Sequence, residues 1–162
     1  MTTMSHPITS TLGQSEREST GALLQAALLD LIDLSLVAKQ AHWNVVGRHF
    51  RDVHFHLDEL VALARKYTDE VAERAAAIGV SPDGRVRTVA AGSRVPEFPE
   101  GWQTDKSVVR AIVEALDVVA LRMRTRVEES ERPDPVTQDL FIEITQELEK
   151  ARWMWQAKLV ES

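Results

Sequence analysis

Apolar residues recur along this chain at helical spacing, in four long stretches separated by two short breaks and one long one. From about Ser19 onward, Leu24, Leu28, Leu31, Ser35, Ala38 and His42 follow one another at intervals of four and three. Those intervals place them on a single face of a helix with 3.6 residues per turn. The pattern predicts a first helix from Ser19 to near Gly47, a residue suited to a left-handed C-terminal cap. A second helix is predicted from about Arg51 to Ile78, stopped by Gly79 and Pro82. A third begins near Asp105 and carries Val109, Ile112, Leu116, Val119, Met123 and Val127 on its stripe. The fourth carries Phe141, Ile144, Leu148, Ala151, Trp155 and Leu159. Asp134 is placed to cap it, with Pro135 at the first helical position, where a missing N–H costs nothing.

The long break, VSPDGRVRTVAAGSRVPEFPEGWQT, holds Pro82, Pro96, Pro99 and three glycines. It is too broken for one long helix and too long for a tight turn, though a short helical segment fits inside it. Short links make antiparallel neighbours, and a long link can cross a bundle. The expected fold is therefore all-α, a four-helix bundle with a long crossover after the second helix, which resembles the ferritin-like connectivity more than a plain up-and-down bundle. Residues 1–18 read as a flexible N-terminal leader and residues 19–162 as a single domain.

Composition narrows the function classes. With no cysteine there is no disulfide, thiolate zinc site or thiol redox chemistry. The most apolar stretch, ALLQAALLDLIDLSLVA, is interrupted by Asp30 and Asp33, so no membrane span is expected. The start lacks a basic segment followed by an apolar one, so no secretory signal is expected and the protein is placed in the cytoplasm. A net charge of −6 argues against bulk attraction to nucleic acid and suits a protein that collects cations.

Four of the five histidines, His42, His49, His54 and His56, fall within fifteen residues, and His6 lies in the leader. Asp69 and Glu73 follow, one helical turn apart. Imidazole and carboxylate together suit iron or manganese. Yet His54 and Asp69 are fifteen residues apart on one helix, roughly 22 Å along its axis at ~1.5 Å per residue. No coordination shell spans that distance. His42, at the end of the first helix, can join His54 but not Asp69. The cluster is thus two half-sites. Either they belong to unrelated sites, or two chains meet about a twofold axis with their second helices antiparallel, so that the His42/His54/Asp58 half of one faces the Asp69/Glu73 half of the other. A twofold makes such contacts reciprocal, giving two equivalent sites per interface. The axis is expected near Val61 to Ala64, where Ala62 and Ala64 allow close approach. An intrachain di-iron centre is set aside: the third and fourth helices contain no histidine, and no Glu-x-x-His occurs anywhere. The same gap argues against a manganese catalase.

At these residues the chain resembles the Dps family, the mini-ferritins first named as DNA-binding proteins from starved cells. The resemblance rests on HWNVVG, on His54 twelve residues after His42, on DEVAER ending in Glu73 and Arg74, and on the later TVAAGSRVPEFP, TQDL and LEKARWMWQAKL segments. It covers most of residues 20–160. It implies a hollow homododecamer with ferroxidase sites between twofold-related subunits, where iron(II) is oxidised by hydrogen peroxide or dioxygen and stored as ferric mineral. It implies His42 and His54 as ligands from one subunit, Asp58 supporting that half as a ligand or as the acceptor that fixes an imidazole tautomer, and Asp69 and Glu73 from the partner. Iron is then the metal expected, with no organic cofactor. Trp43, beside the site, is a candidate electron donor to trapped radicals, and the resemblance makes Asp139 a candidate acid at an iron-entry pore. His49 and His56 match nothing in the family pattern and are read as surface or interface residues. Tyr67 is read as packing, Trp153 and Trp155 as core or interface aromatics, and Glu128, Glu129 and Glu131 as a solvated run.

The alternative function is a nucleoid-packing scaffold with little catalysis. DNA binding in this family usually depends on a mobile tail rich in lysine and arginine, which releases counterions from phosphates. Residues 1–20 contain no lysine and only Arg17, flanked by Glu16 and Glu18, and the chain ends at Ser162, just past the fourth helix. Arg85, Arg87 and Arg94 in the crossover form a weak patch at best. DNA binding is expected to be weak or absent.

Overall fold

The computed structural model of the chain describes residues 7–160. His6 and the first part of the leader, and the last two residues, lie outside the described residues. Five helices account for most of the fold: α1 (Gln14–Asn44), α2 (Phe50–Ala77), α3 (Val86–Gly92), α4 (Asp105–Ser130) and α5 (Pro135–Ala157). Two extended pairs, β1 (Val45–Val46) and β2 (Gln103–Thr104), join in a short parallel ladder, with Val45 opposite Gln103 and Val46 opposite Thr104.

α1 packs along α2, and α4 along α5, as the short links require. The ladder fixes the remaining direction. It brings the start of α4 to the corner where α1 ends and α2 begins, so α4 runs parallel to α2 and the crossover must travel the length of the bundle. This is the ferritin-like arrangement, and the short helix in the crossover is α3, which packs on α1. The four stripes meet in one core, where Leu24, Leu31, Leu57, Ile112, Leu116, Met123, Phe141, Leu148 and Trp155 are fully buried.

The helix ends follow local chemistry. Thr104 caps α4 by accepting from the Ser107 N–H, and Asp134 caps α5 by accepting from Val136, with Pro135 in the first turn as expected. Asp134 is buried and also takes Arg74 Nη2 at 2.6 Å, which ties the end of α2 to the start of α5.

Three expectations are corrected. α1 starts at Gln14, so residues 14–18, assigned to the leader, belong to the helix. Glu16 sits in its first turn, where a carboxylate favours the helix dipole, and Gln14 bonds Glu18 across one turn. Gly47 does not cap α1, which ends through extended Val45. Gly47 instead serves the following turn with φ 126°, and a Cβ there would stand 2.9 Å from the Asp105 carboxylate. Ala64 faces the core, leaving Ala62 as the small residue on the outer surface of α2.

α1 is long and apolar enough to pass for a membrane span by composition, but most of that stretch is buried inside the bundle. Its Asp30 is fully buried and satisfied: Oδ2 accepts from Arg126 at 2.5 Å and Arg122 at 2.8 Å, and Oδ1 accepts from the Arg94 N–H at 3.3 Å. The last bond fastens the crossover to α1.

Candidate metal centre

The α1–α2 corner brings His42, on the last turn of α1, against His54, on the second turn of α2. Their rings stack with centroids 3.6 Å apart and planes 22° apart. Each ring is held by the other residue's backbone. His42 Nδ1 lies 2.9 Å from the His54 carbonyl, and His54 Nδ1 lies 2.9 Å from the His42 carbonyl. A carbonyl can only accept, so both Nδ1 atoms carry a proton, and in the neutral rings Nε2 keeps its lone pair. These carbonyls supply the outer support that metal-binding histidines ordinarily have. His42 is buried and His54 is partly so.

Asp58, one turn after His54, joins this half. Its Oδ1 lies 3.3 Å from His42 Nδ1 and accepts from Lys39 Nζ at 2.6 Å. The carboxyl is held below the usual range first by the Lys39 hydrogen bond, with burial opposing; positive charge on His42 when that ring is protonated, on Lys39 itself, and on His54 when protonated lowers it further. Lys39 was not singled out in the sequence. It lies three residues before His42, hence on the same face of α1, and that spacing was the available signal.

Asp69 and Glu73 do not join. Both are exposed on α2, and no described residue pairs with either. Because α2 is continuous from Phe50 to Ala77, the ~1.5 Å rise per residue keeps Asp69 roughly 22 Å from His54 along the axis. Among the described residues, no three His, Asp or Glu side chains surround a single cation position. At about 100° per residue, however, Asp58, Ala62, Arg65, Asp69 and Glu73 fall within roughly 80° of one another on one outward face.

The other candidates are dispersed. Trp43, next to His42, is 63% exposed. Tyr67 is buried, and its hydroxyl donates to Glu143 Oε1 at 2.9 Å, so it packs as expected. Asp139 is exposed near the start of α5, and Glu128, Glu129 and Glu131 face solvent. Trp155 is core, whereas Trp153 is exposed. His56 departs from the surface reading. It is partly buried and stacks on Trp155 at 4.2 Å with planes 4° apart. His49 remains exposed, and its backbone N–H donates to Asp105.

Residues 21–161 match the model of the ferritin-like domain. The chain is 36% identical over 147 residues to DNA protection during starvation protein 2 of Deinococcus radiodurans, covering 91% of this chain and 61% of that protein's length. It is 37% identical over 152 residues to DNA protection during starvation protein of Mycolicibacterium smegmatis, covering 91% of this chain and 81% of that one. The solved structure of Mycobacterium smegmatis Dps superposes with a TM-score of 0.91 at 34% identity, over 98% of this chain and 91% of that one. The chain belongs to the Dps family of ferritin-like proteins.

Proposed function

We propose that this protein is a ferroxidase and iron store. In this reading it forms a hollow dodecamer in the cytoplasm, oxidises iron(II) with hydrogen peroxide or dioxygen at sites shared between twofold-related subunits, and keeps the product as ferric mineral. The observation that carries it is the pairing of two incomplete halves on α2: imidazoles whose Nε2 atoms are free among the described residues at one end, and exposed carboxylates without a partner among the described residues at the other.

The halves are spaced for self-complementation. His54 and Glu73 have their midpoint between positions 63 and 64, and so do Asp58 and Asp69. A twofold axis at that level, with two α2 helices antiparallel, sets Asp58 opposite the other chain's Asp69 and His54 opposite its Glu73. Exposed Ala62, one residue away, permits close approach.

The stacked rings also suit two cations rather than one. A metal lies in the plane of the imidazole that binds it. Planes 3.6 Å apart and inclined by 22° meet roughly 9 Å away, well past an ion held at ~2.1 Å from nitrogen. The two histidines thus address neighbouring ions. Two iron(II) ions supply the two electrons that hydrogen peroxide needs to become two waters, so no hydroxyl radical need escape. Neutral imidazole suits iron(II), and carboxylate oxygen stabilises iron(III). Few protein ligands leave open positions for the oxidant. Trp43 is proposed as a nearby electron donor for any radical formed, and Asp139 as an acid at a pore.

DNA binding is proposed to be weak. Arg85 is paired with Asp83 through its guanidinium, which takes one of the three arginine charges out of the crossover patch. The test of the main reading is iron(II) oxidation by peroxide, followed by ultraviolet absorbance. Asp69→Ala with Glu73→Ala should abolish the rapid phase and His42→Ala should slow it, with shells still assembled by light scattering. Wild-type rates in both variants would refute the site assignment.

A further inference from the structure

Tyr67 is the only tyrosine in the chain, and it is 1% exposed on the core-facing side of α2. Burial alone requires its hydroxyl to find an acceptor, and a backbone carbonyl would serve. What it meets is a carboxylate and an ammonium. The hydroxyl donates to Glu143 Oε1 on α5 at 2.9 Å. Lys66 Nζ lies 3.4 Å from the same hydroxyl and 4.5 Å from the ring centroid. Glu143 and Lys66 are themselves exposed and 3.6 Å apart. The phenol therefore sits dry, with its proton aimed at a base that reaches water.

That arrangement decides how the ring can be oxidised. Loss of an electron alone would leave a cationic ring beside an ammonium, which repels it at a poorly screened site. Loss of the electron together with the proton leaves a neutral phenoxyl that the ammonium does not disfavour. Glu143 is within hydrogen-bond reach to take that proton. The place of Tyr67 on α2 matters as much. Tyr67 and Asp69 are two residues apart, about 200° around the helix, so the phenol and the proposed centre stand on opposite sides of one helix, about 10–12 Å across with its side chains. Trp43 is open to solvent, where a radical meets other molecules. A phenoxyl at Tyr67 is shielded from such encounters.

We propose that Tyr67 is a redox-active side chain, a buried one-electron donor to the proposed centre with Glu143 as its proton acceptor. This rests on the ferroxidase reading above, which supplies the oxidant. A centre holding a single iron(II) gives peroxide only one electron, and the products are iron(III), hydroxide and a hydroxyl radical. Tyr67 gives the second electron. It goes to the radical, which becomes hydroxide, while the phenol O–H bond breaks and its proton passes to Glu143 Oε1. Another iron(II) then reduces the phenoxyl, becoming iron(III), and the proton returns from Glu143. One peroxide and two iron(II) are consumed in all, as in a filled centre.

The test uses the assembled metal-free protein and a flash-generated one-electron oxidant, photo-oxidised ruthenium tris-bipyridine. With one tyrosine in the chain, every tyrosyl signal in electron paramagnetic resonance belongs to Tyr67. The wild type should give that signal and Tyr67→Phe should not. Glu143→Gln keeps an oxygen that accepts the hydrogen bond but is too weak a base for the proton. Phenoxyl formation, followed by transient absorbance, should then slow about a hundredfold, the low end of what a positioned proton acceptor contributes. With one iron(II) per centre and peroxide, the wild type should show the same tyrosyl signal, and Tyr67→Phe should release more hydroxyl radical to a spin trap. No phenoxyl in the flashed wild type, or unchanged formation in Glu143→Gln, overturns this proposal and leaves the ferroxidase reading standing. A wild type that does not oxidise iron(II) overturns the ferroxidase reading and, with it, the source of oxidant proposed here.

Discussion

If each centre is built from two chains, inactive variants should rescue one another. One version of the chain carries His42→Ala and His54→Ala, and the other carries Asp69→Ala and Glu73→Ala. Alone, each lacks the same half of every centre, and oxidation should fall at least tenfold, since even losing an outer partner of a ligand costs about 10–100-fold. Across a twofold interface joining one copy of each, one centre combines intact histidines with intact carboxylates and the other has neither. Random pairing makes half of the interfaces mixed, so about a quarter of all centres are complete. Co-expression with two affinity tags isolates mixed shells, and the initial rate of iron(II) oxidation by peroxide should recover to about a quarter of wild type. The ~22 Å between the halves within one α2 helix forbids this recovery by any intrachain route. Mixed shells no faster than the mean of their parents would refute the shared centre, even if each variant alone is inactive.

Other predictions concern the scaffold and the surface. Asp134→Ala removes the α5 cap and leaves Arg74 without its carboxylate, and should lower stability by about 2–3 kcal/mol in denaturant titration. Burial raises the Asp134 carboxyl, but hydrogen bonds from Thr137 and Arg74 outweigh it and leave the group below its ordinary value. Its contribution is therefore present above the unfolded value near 3.8 and lost as pH falls through the folded one, a loss that Asp134→Ala should not show. His56 is depressed below 6.5 by burial and by Lys158, with Glu59 and Asp52 opposing. The folded state thus takes up its proton less readily than the unfolded one, and stability should fall as pH drops below about 6.5; His56→Gln should flatten that part of the profile, and an unchanged slope would contradict the stacking account. A plasmid gel shift should show no salt-sensitive submicromolar binding; such a shift would instead favour the nucleoid-packing function.

Much of the fold was legible because its signals are local. The 3.6-residue stripes, the Asp134–Pro135 start and the proline-rich crossover each constrain a few neighbouring residues, and all three appear in place. The start of α1 was misjudged because the polar segment from Gln14 to Glu18 lacks an apolar stripe, and only its dipole and one-turn hydrogen bond favour helix. Ala64 was misplaced because an alanine carries no polarity to mark its face. Of the centre, the histidines and carboxylates could be found by residue type and their separation by helix rise. The reciprocal carbonyl bonds, the stack of His56 on Trp155, and the Asp30–Arg122–Arg126 cluster could not. They join residues from different helices, and nothing in the linear order records which atoms meet.

The central claim is tested most directly by diffraction from crystals of the assembled protein loaded anaerobically with cobalt(II), with the metal located by its anomalous signal. The account predicts metal at the α2–α2 twofold interface, about 2.0–2.2 Å from a histidine Nε2 of one subunit and from Asp69 and Glu73 of the other. Metal bound wholly within one chain, or α2 helices that never meet across a twofold axis, would contradict it.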